Sequence, residues 1–258
     1  MLADLVAGAL EDASARRAAR SLAEVEADAL AAAPPHDALV ALAPAERVKI
    51  IAEVKRASPS RGALAEIRDP AGLAVSYESG GASAISVLTE QRRFGGSLDD
   101  LREVRAAVGI PVLRKDFIAD PYQVFEARAA GADLVLLIVA ALDQPVLREL
   151  YALIGELGMT ALVEAHSAAE VDRALEIGAQ LVGVNARDLS TFQLDRDLFG
   201  RLAGSIPAGV VRVAESAVTS PADVAHYREA GADVVLIGEA LVTGDDPVTT
   251  LESFLAAG

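Results

Sequence analysis

Residues 130–139 read AGADLVLLIV, and the way this stretch is punctuated decides the fold. Six apolar residues run without a polar break from Leu134 to Val139. So short a run, apolar on both faces, is the habit of a parallel strand covered on both sides. The glycine just before it sits where a helix would end, because glycine accepts the left-handed conformation that closes a helix. The same unit, a helical segment then Gly-Ala-x then an apolar β-branched run, recurs as GGASAISVL (80–88), IGAQLVGVN (177–185) and AGADVVLIG (230–238). Further strand candidates lie between the repeats at 48–54, 110–115, 159–164 and 210–215, with amphipathic helical stretches separating all of them.

Strand and helix thus alternate through about eight units, the order expected of an α/β protein of the (β/α)8 TIM-barrel class. A doubly wound open sheet is the rival, but it normally needs fewer strands and often a glycine-rich dinucleotide turn. No G-x-G-x-x-G follows any strand here. Residues 1–45, rich in Ala and Glu, read as an N-terminal extension of one or two helices, broken by AAAPPH (31–36). The expectation is one domain over 1–258, with the extension at 1–45 and the barrel at 46–258.

Composition narrows the function. A formal charge of −15 repels phosphate backbones, so a nucleic-acid partner is not expected. With no cysteine there are no disulfides, thiolate nucleophiles or thiolate metal sites. His36, His166 and His226 show no metal-ligand spacing. Acidic residues appear too early for a signal peptide, and no apolar run approaches membrane-spanning length. The expected protein is cytoplasmic, monomeric, and free of metal and cofactor. Only three of its 23 basic residues are lysine, at 49, 55 and 115. A chain that prefers arginine so strongly points to Lys55 and Lys115 as residues doing what arginine cannot, namely giving up a proton.

In a barrel of this kind the chemistry gathers at the C-terminal ends of the strands. Side chains alternate faces along a strand, so Glu53 and Lys55 in IIAEVKRASPSRG (50–62) point the same way. By the same parity Leu113, Lys115 and Phe117 share a face, as do Thr160, Leu162 and Glu164, then Gly183, Asn185 and Arg187, then Val211, Val213 and Glu215. Two Lys, three Glu, an Asn and an Arg are thereby expected around one mouth. Any one of them alone could be a structural ion pair; buried charges converging from five strands are too costly to persist as packing. The ends of the last two strands, AESAVTSPAD and IGEALVTGDDP, place small residues before helix starts, as phosphate sites in these barrels do. Phe94, Phe117, Pro59 and Leu189 supply an apolar wall.

Taken together, IIAEVKRASPSRG (50–62), SVLTEQRRFGGS (86–97), PVLRKDFI (111–118), LLIVAAL (136–142), LVEAH (162–166), GVNARDL (183–189), VAESAV (213–218) and LIGEALV (236–242) closely resemble the indole-3-glycerol phosphate synthase family of tryptophan biosynthesis, in order and spacing. The resemblance runs from about residue 50 to the C-terminus, and the N-terminal helices resemble the family's extension. It implies ring closure of 1-(o-carboxyphenylamino)-1-deoxyribulose 5-phosphate with loss of CO2 and water, without cofactor or metal. On that reading Lys115 is the general acid, Glu164 and Lys55 serve the later proton transfers, and Glu53 and Asn185 position these groups. Arg187 and Lys55 meet the anthranilate carboxylate, and Glu215 contributes to orientation or electrostatics. Pro59, Phe94, Phe117, Leu136 and Leu189 hold the aryl ring. Ser58, Ser216 and Gly238, with Ala217 and Glu239 in the same loops, take the phosphate. Two departures stand out. Ala217 replaces the glycine usual in the family's AESG, and Arg61 stands where Lys is common.

Two other classes compete with this reading: a different phosphosugar barrel enzyme (an Amadori-type isomerase or a Schiff-base aldolase), and a barrel that binds a phosphorylated metabolite without turnover. Schiff-base chemistry would also favour retained lysines.

Overall fold

The glycine of each Gly-Ala-x unit has a positive φ: 95° at Gly81, 88° at Gly131, 80° at Gly178 and 94° at Gly231. A side chain resists that conformation, so each glycine stops its helix and turns the chain into the next strand. The computed structural model describes residues 1–258 apart from Ser60, Leu189, Ser190, Phe192, Gly244 and Asp245.

Eight strands build the barrel: β1 Lys49–Val54, β2 Ala84–Leu88, β3 Val112–Lys115, β4 Leu134–Ile138, β5 Thr160–Ala165, β6 Leu181–Asn185, β7 Val211–Glu215 and β8 Val234–Ile237. Each pairs in parallel with its neighbours, and β1 pairs with both β2 and β8, closing the barrel. A helix follows each strand. Five of these helices open on Asp or Ser with a proline just inside, as at Asp69–Pro70 and Asp120–Pro121. The capping side chain accepts a free N–H, and proline there loses nothing.

Parity sorts the core. Ile50, Val87, Val135, Val163 and Val235 pack outward against the helices. Ile51, Leu113, Leu134, Leu162, Val213 and Leu236 fill the barrel interior. The interior below the mouth is therefore a packed core, and polar groups gather only at its open end.

The N-terminal extension has two full helices, α1 Leu2–Ala19 and α2 Leu22–Ala31. It also has a single further turn, Ala38–Ala41, which the sequence reading did not expect. Asp37 creates that turn by accepting the N–H of Val40. The extension straps the barrel from mouth to base. Leu5 of α1 lines the cavity at the mouth. Arg16 pairs with Glu126, and the Tyr122 hydroxyl donates to the carbonyl of Arg20. Arg128 donates to the carbonyls of Ala32 and Ala33. The chain then reaches the start of β4, where the N–H of His36 donates to Asp133.

Candidate active site

The strand alternation that buries Ile51 inside the barrel also turns Glu53 inward, and Lys55 follows on the same side. Their charged ends meet at 2.6 Å. Lys115 closes β3 and Glu164 lies near the end of β5. The Lys115 Nζ sits 3.6 Å from Glu164 Oε2 and 3.6 Å from Glu215 Oε2 on β7. Lys115 thus meets carboxylates 49 and 100 positions further along the chain in one charge cluster at the barrel mouth.

The cluster lines a cavity of about 330 Å³. Lys55, Lys115, Glu53, Glu164, Asn185 and Glu215 all face it, and so do Ser58, Pro59, Phe94, Phe117, Leu136 and Arg187. Ser216, Ala217, Gly238 and Glu239 border it from the last two loops. Leu189 lies outside the described residues. The aromatic wall is built from Phe94 and Phe117, whose ring centres are 6.1 Å apart at 44°. Phe94 is held there by Glu90, whose carboxylate accepts the backbone N–H groups of Arg92, Arg93 and Phe94. Across the mouth, Arg61 from the loop after β1 pairs with Glu239 after β8 at 2.9 Å.

Two glycines make room for this charge. A methyl on Gly183 would stand 2.0 Å from Glu215 Oε1, and one on Gly238 would stand 2.4 Å from Glu53 Oε1. Gly238 therefore has a second use besides the phosphate contact expected of it, since it lets the Glu53–Lys55 pair close. Asn185 engages its carbonyl oxygen locally, accepting from the Arg187 N–H and from the Ser216 hydroxyl.

The buried carboxylates are set differently from one another. Burial opposes ionisation of Glu164, but the Lys115 ammonium and His166 outweigh it and hold that carboxyl far below its ordinary range. Burial pushes the Glu215 carboxyl up to about 8, and the nearby Glu164 charge pushes the same way. Like charges sharing one cation cannot both ionise freely. For Lys115, burial favours the neutral amine, yet Glu164, Glu215 and Glu53 prevail and raise its pKa. The sequence suggested a lysine tuned for donation. The structure keeps Lys115 protonated, which a donor needs, and does so by making it a weaker acid.

Neither carboxylate, Glu164 nor Glu215, accepts a hydrogen bond from a described residue. At 3.6 Å, Lys115 offers them charge more than a bond of normal length. The ionised Glu164 can accept from ligand hydroxyls, and the Glu215 carboxyl, raised to about 8, can exchange hydrogen bonds with them as donor or acceptor.

Ser216 and Ala217 both adopt left-handed backbone conformations, with φ of 69° and 56°. At Ala217, where the family usually has glycine, a side chain in that conformation costs on the order of 1 kcal/mol. Ala217→Gly is expected to raise stability by about 0.5–1 kcal/mol in urea unfolding and to lower KM for a phosphorylated substrate. An unchanged KM would mean that the loop accommodates alanine at no cost to binding.

Sequence reasoning passed over several residues at the site. His166 does not line the cavity but touches Glu164 at 3.3 Å. It stands two positions after Glu164, the same spacing that flagged Glu53 and Lys55, but a search for metal spacing does not register it. Leu5 arrives from α1, and nothing in the order of residues announces that a terminal helix reaches the mouth. Asp116 also lines the cavity. Its carboxylate bonds the Thr89 hydroxyl and the fully buried Arg114, a network facing away from the barrel axis.

Among solved structures, 3-hexulose-6-phosphate synthase aligns with a TM-score of 0.63 at 18% identity, covering 82% of this chain and 99% of that one. Such low identity speaks to the barrel alone. Sequence comparison says more. An indole-3-glycerol phosphate synthase of Leifsonia xyli is 75% identical over 98% of this chain and 97% of its own length. One from Beutenbergia cavernae is 58% identical over 100% of this chain and 96% of its own. The profile of that family matches residues 2–254, and the chain belongs to the indole-3-glycerol phosphate synthase family.

Proposed function

We propose that this cavity closes the pyrrole ring of 1-(o-carboxyphenylamino)-1-deoxyribulose 5-phosphate, giving indole-3-glycerol phosphate, CO2 and water. The observation that carries the assignment of roles is the Lys115–Glu164 contact at 3.6 Å beneath an aromatic wall. It sets a proton donor and an acceptor side by side where an aryl ring and a ketone would meet.

The chemistry follows in balanced steps. The ring carbon bearing the carboxylate attacks the ribulose carbonyl, a C–C bond forms, and the carbonyl oxygen takes a proton from Lys115. The carboxylate leaves as CO2, and the electrons of its bond restore the aromatic ring. The new hydroxyl then leaves as water with one proton, while a carbon-bound proton is lost to complete the pyrrole. Glu164 and Lys55 serve these later transfers. A positioned acid or base of this kind contributes about 10²–10⁴ in rate. Decarboxylation is driven by rearomatisation, so it asks mainly for orientation. Phe94, Phe117, Pro59 and Leu136 supply that by gripping the aryl ring, and Arg187 and Lys55 by meeting its carboxylate. Ser58, Ser216 and Gly238 lie in the loops that take the phosphate.

We also take the protein to act in the cytoplasm as a single chain, its N-terminal helices forming one unit with the barrel. No described helix is long and apolar enough to cross a membrane. The test is direct: supply the carboxyphenylamino substrate and follow indole fluorescence. Turnover at an ordinary enzyme rate is expected. Binding without turnover would leave a metabolite-binding barrel, and borohydride trapping of a keto-sugar adduct would indicate Schiff-base chemistry instead.

A further inference from the structure

His166 sits just past β5 and is mostly buried. Its Nε2 lies 3.3 Å from Glu164 Oε1, inside the barrel mouth. Its Nδ1 lies 3.3 Å from Glu170 Oε2, on the helix Ala168–Glu176 outside it. Glu170 is itself fixed, because the same Oε2 accepts the His166 backbone N–H at 2.9 Å and Oε1 accepts the Ser167 hydroxyl at 3.2 Å. An imidazole therefore bridges one carboxylate in the cavity and one anchored to a helix cap.

We propose that His166 is a positioning residue, an imidazolium strut that holds the Glu164 carboxylate in register with Lys115. The proposal rests on the reading of Glu164 as a proton-transfer group. The geometry gives it a reason. Glu164 accepts no hydrogen bond from a described residue, so its rotamer is not fixed by the usual donors. A carboxylate on three rotatable bonds has to be held against Lys115 by something else, and misplacement by about 1 Å can cost a catalyst up to about 10² in rate. The Nε2–Oε1 contact is long for a hydrogen bond at 3.3 Å, so the strut acts by charge first. The charged groups that face it are Glu164 from β5 and Glu170 from the following helix, with Lys115 and Glu215 on the far side of Glu164. Burial opposes a charged imidazole, yet these two carboxylates outweigh it and lift His166 to about 10. Helix dipole or metal need not be invoked.

The test uses His166→Gln and Glu170→Gln, with Glu164→Gln as the reference. His166→Gln is expected to lower kcat by between about ten- and a hundred-fold with KM changed less than about two-fold. It is also expected to raise the acid limb of the pH profile of kcat/KM, because Glu164 loses a cation that favours its ionised form. Glu170→Gln should move both in the same direction by less. With only three histidines in the chain, the imidazole NMR signals can be assigned from the His36 and His226 variants even if His166→Gln does not fold. The His166 signal is expected to stay protonated well above neutral pH in the wild type and to titrate lower in Glu164→Gln.

An unchanged kcat and acid limb in His166→Gln would overturn the strut. So would a His166 signal that titrates as a free imidazole or ignores Glu164→Gln. If Glu164→Gln itself retains activity, the role given to Glu164 fails. That failure is separate, because the imidazole titration still reports whether the contact exists.

Discussion

Lys115→Arg is expected to lower kcat by about 10²–10⁴ while the protein stays folded. The substitution keeps a positive charge beside Glu164 and Glu215, which Lys115 approaches to 3.6 Å each. It replaces a compact ammonium with a bulkier planar guanidinium, whose charge is delocalised and whose N–H directions are fixed, so the carbonyl oxygen no longer meets a placed proton donor. The raised pKa of Lys115 does not weaken the argument. The alkoxide that develops as the ring closes is a stronger base than an amine, so transfer from the ammonium runs downhill. Lys115→Gln provides the comparison, since it removes both charge and proton. If proton donation is the role, Arg and Gln variants lose kcat alike. If charge alone matters, Arg stays within about ten-fold of wild type and only Gln collapses. The second result would sink the assignment of Lys115 as the acid. Thermal unfolding of each variant separates lost chemistry from lost structure.

How much of this was readable in the sequence depends on the range of each signal. The strand boundaries were legible because parity and glycine punctuation are local. Gly131 and Gly231 stop helices wherever they occur, and Glu53 and Lys55 share a face whatever the rest of the chain does. The cavity lining was legible for a related reason. A closed parallel barrel brings all strand ends to one rim, so seven local readings add up to one site. What escaped notice is contact between elements whose relative placement no local rule supplies. The reach of α1 to the mouth, with Leu5 in the cavity, depends on how the strap crosses the helix layer. The outward network of Arg114, Asp116 and Thr89 uses strand residues of the opposite parity, the half of each strand that reads as plain core. His166 had the right spacing but was judged only as a metal ligand.

The aspartate of the repeated Gly-Ala-Asp unit belongs to the same group of missed contacts, and it carries the largest expected effect on stability. Asp133 is almost fully buried, beside the start of β4. One oxygen accepts the N–H of His36 and the other accepts the N–H of Val112 at the start of β3, each at 2.7 Å. Arg105 adds an ion pair at 2.6 Å. One carboxylate therefore ties the strap, a strand and an outer helix together at the base of the barrel. Asp133→Ala leaves the half-buried Arg105 without its carboxylate and two backbone donors without their acceptor, at an expected cost of about 3–5 kcal/mol. For a chain of this size that lowers Tm by on the order of 10 °C. Asp133→Asn, which keeps an acceptor but not the charge, should fall between. Asp233 repeats the motif, accepting from the Arg212 backbone and side chain, but it is less buried and holds no strap, so Asp233→Ala should cost less. Because Asp133 lies at the opposite end of the barrel from the cavity, kcat at low temperature should be retained. A Tm shift of Asp133→Ala no larger than that of Asp233→Ala would show that the strap is not fastened there, and that the barrel base holds without it.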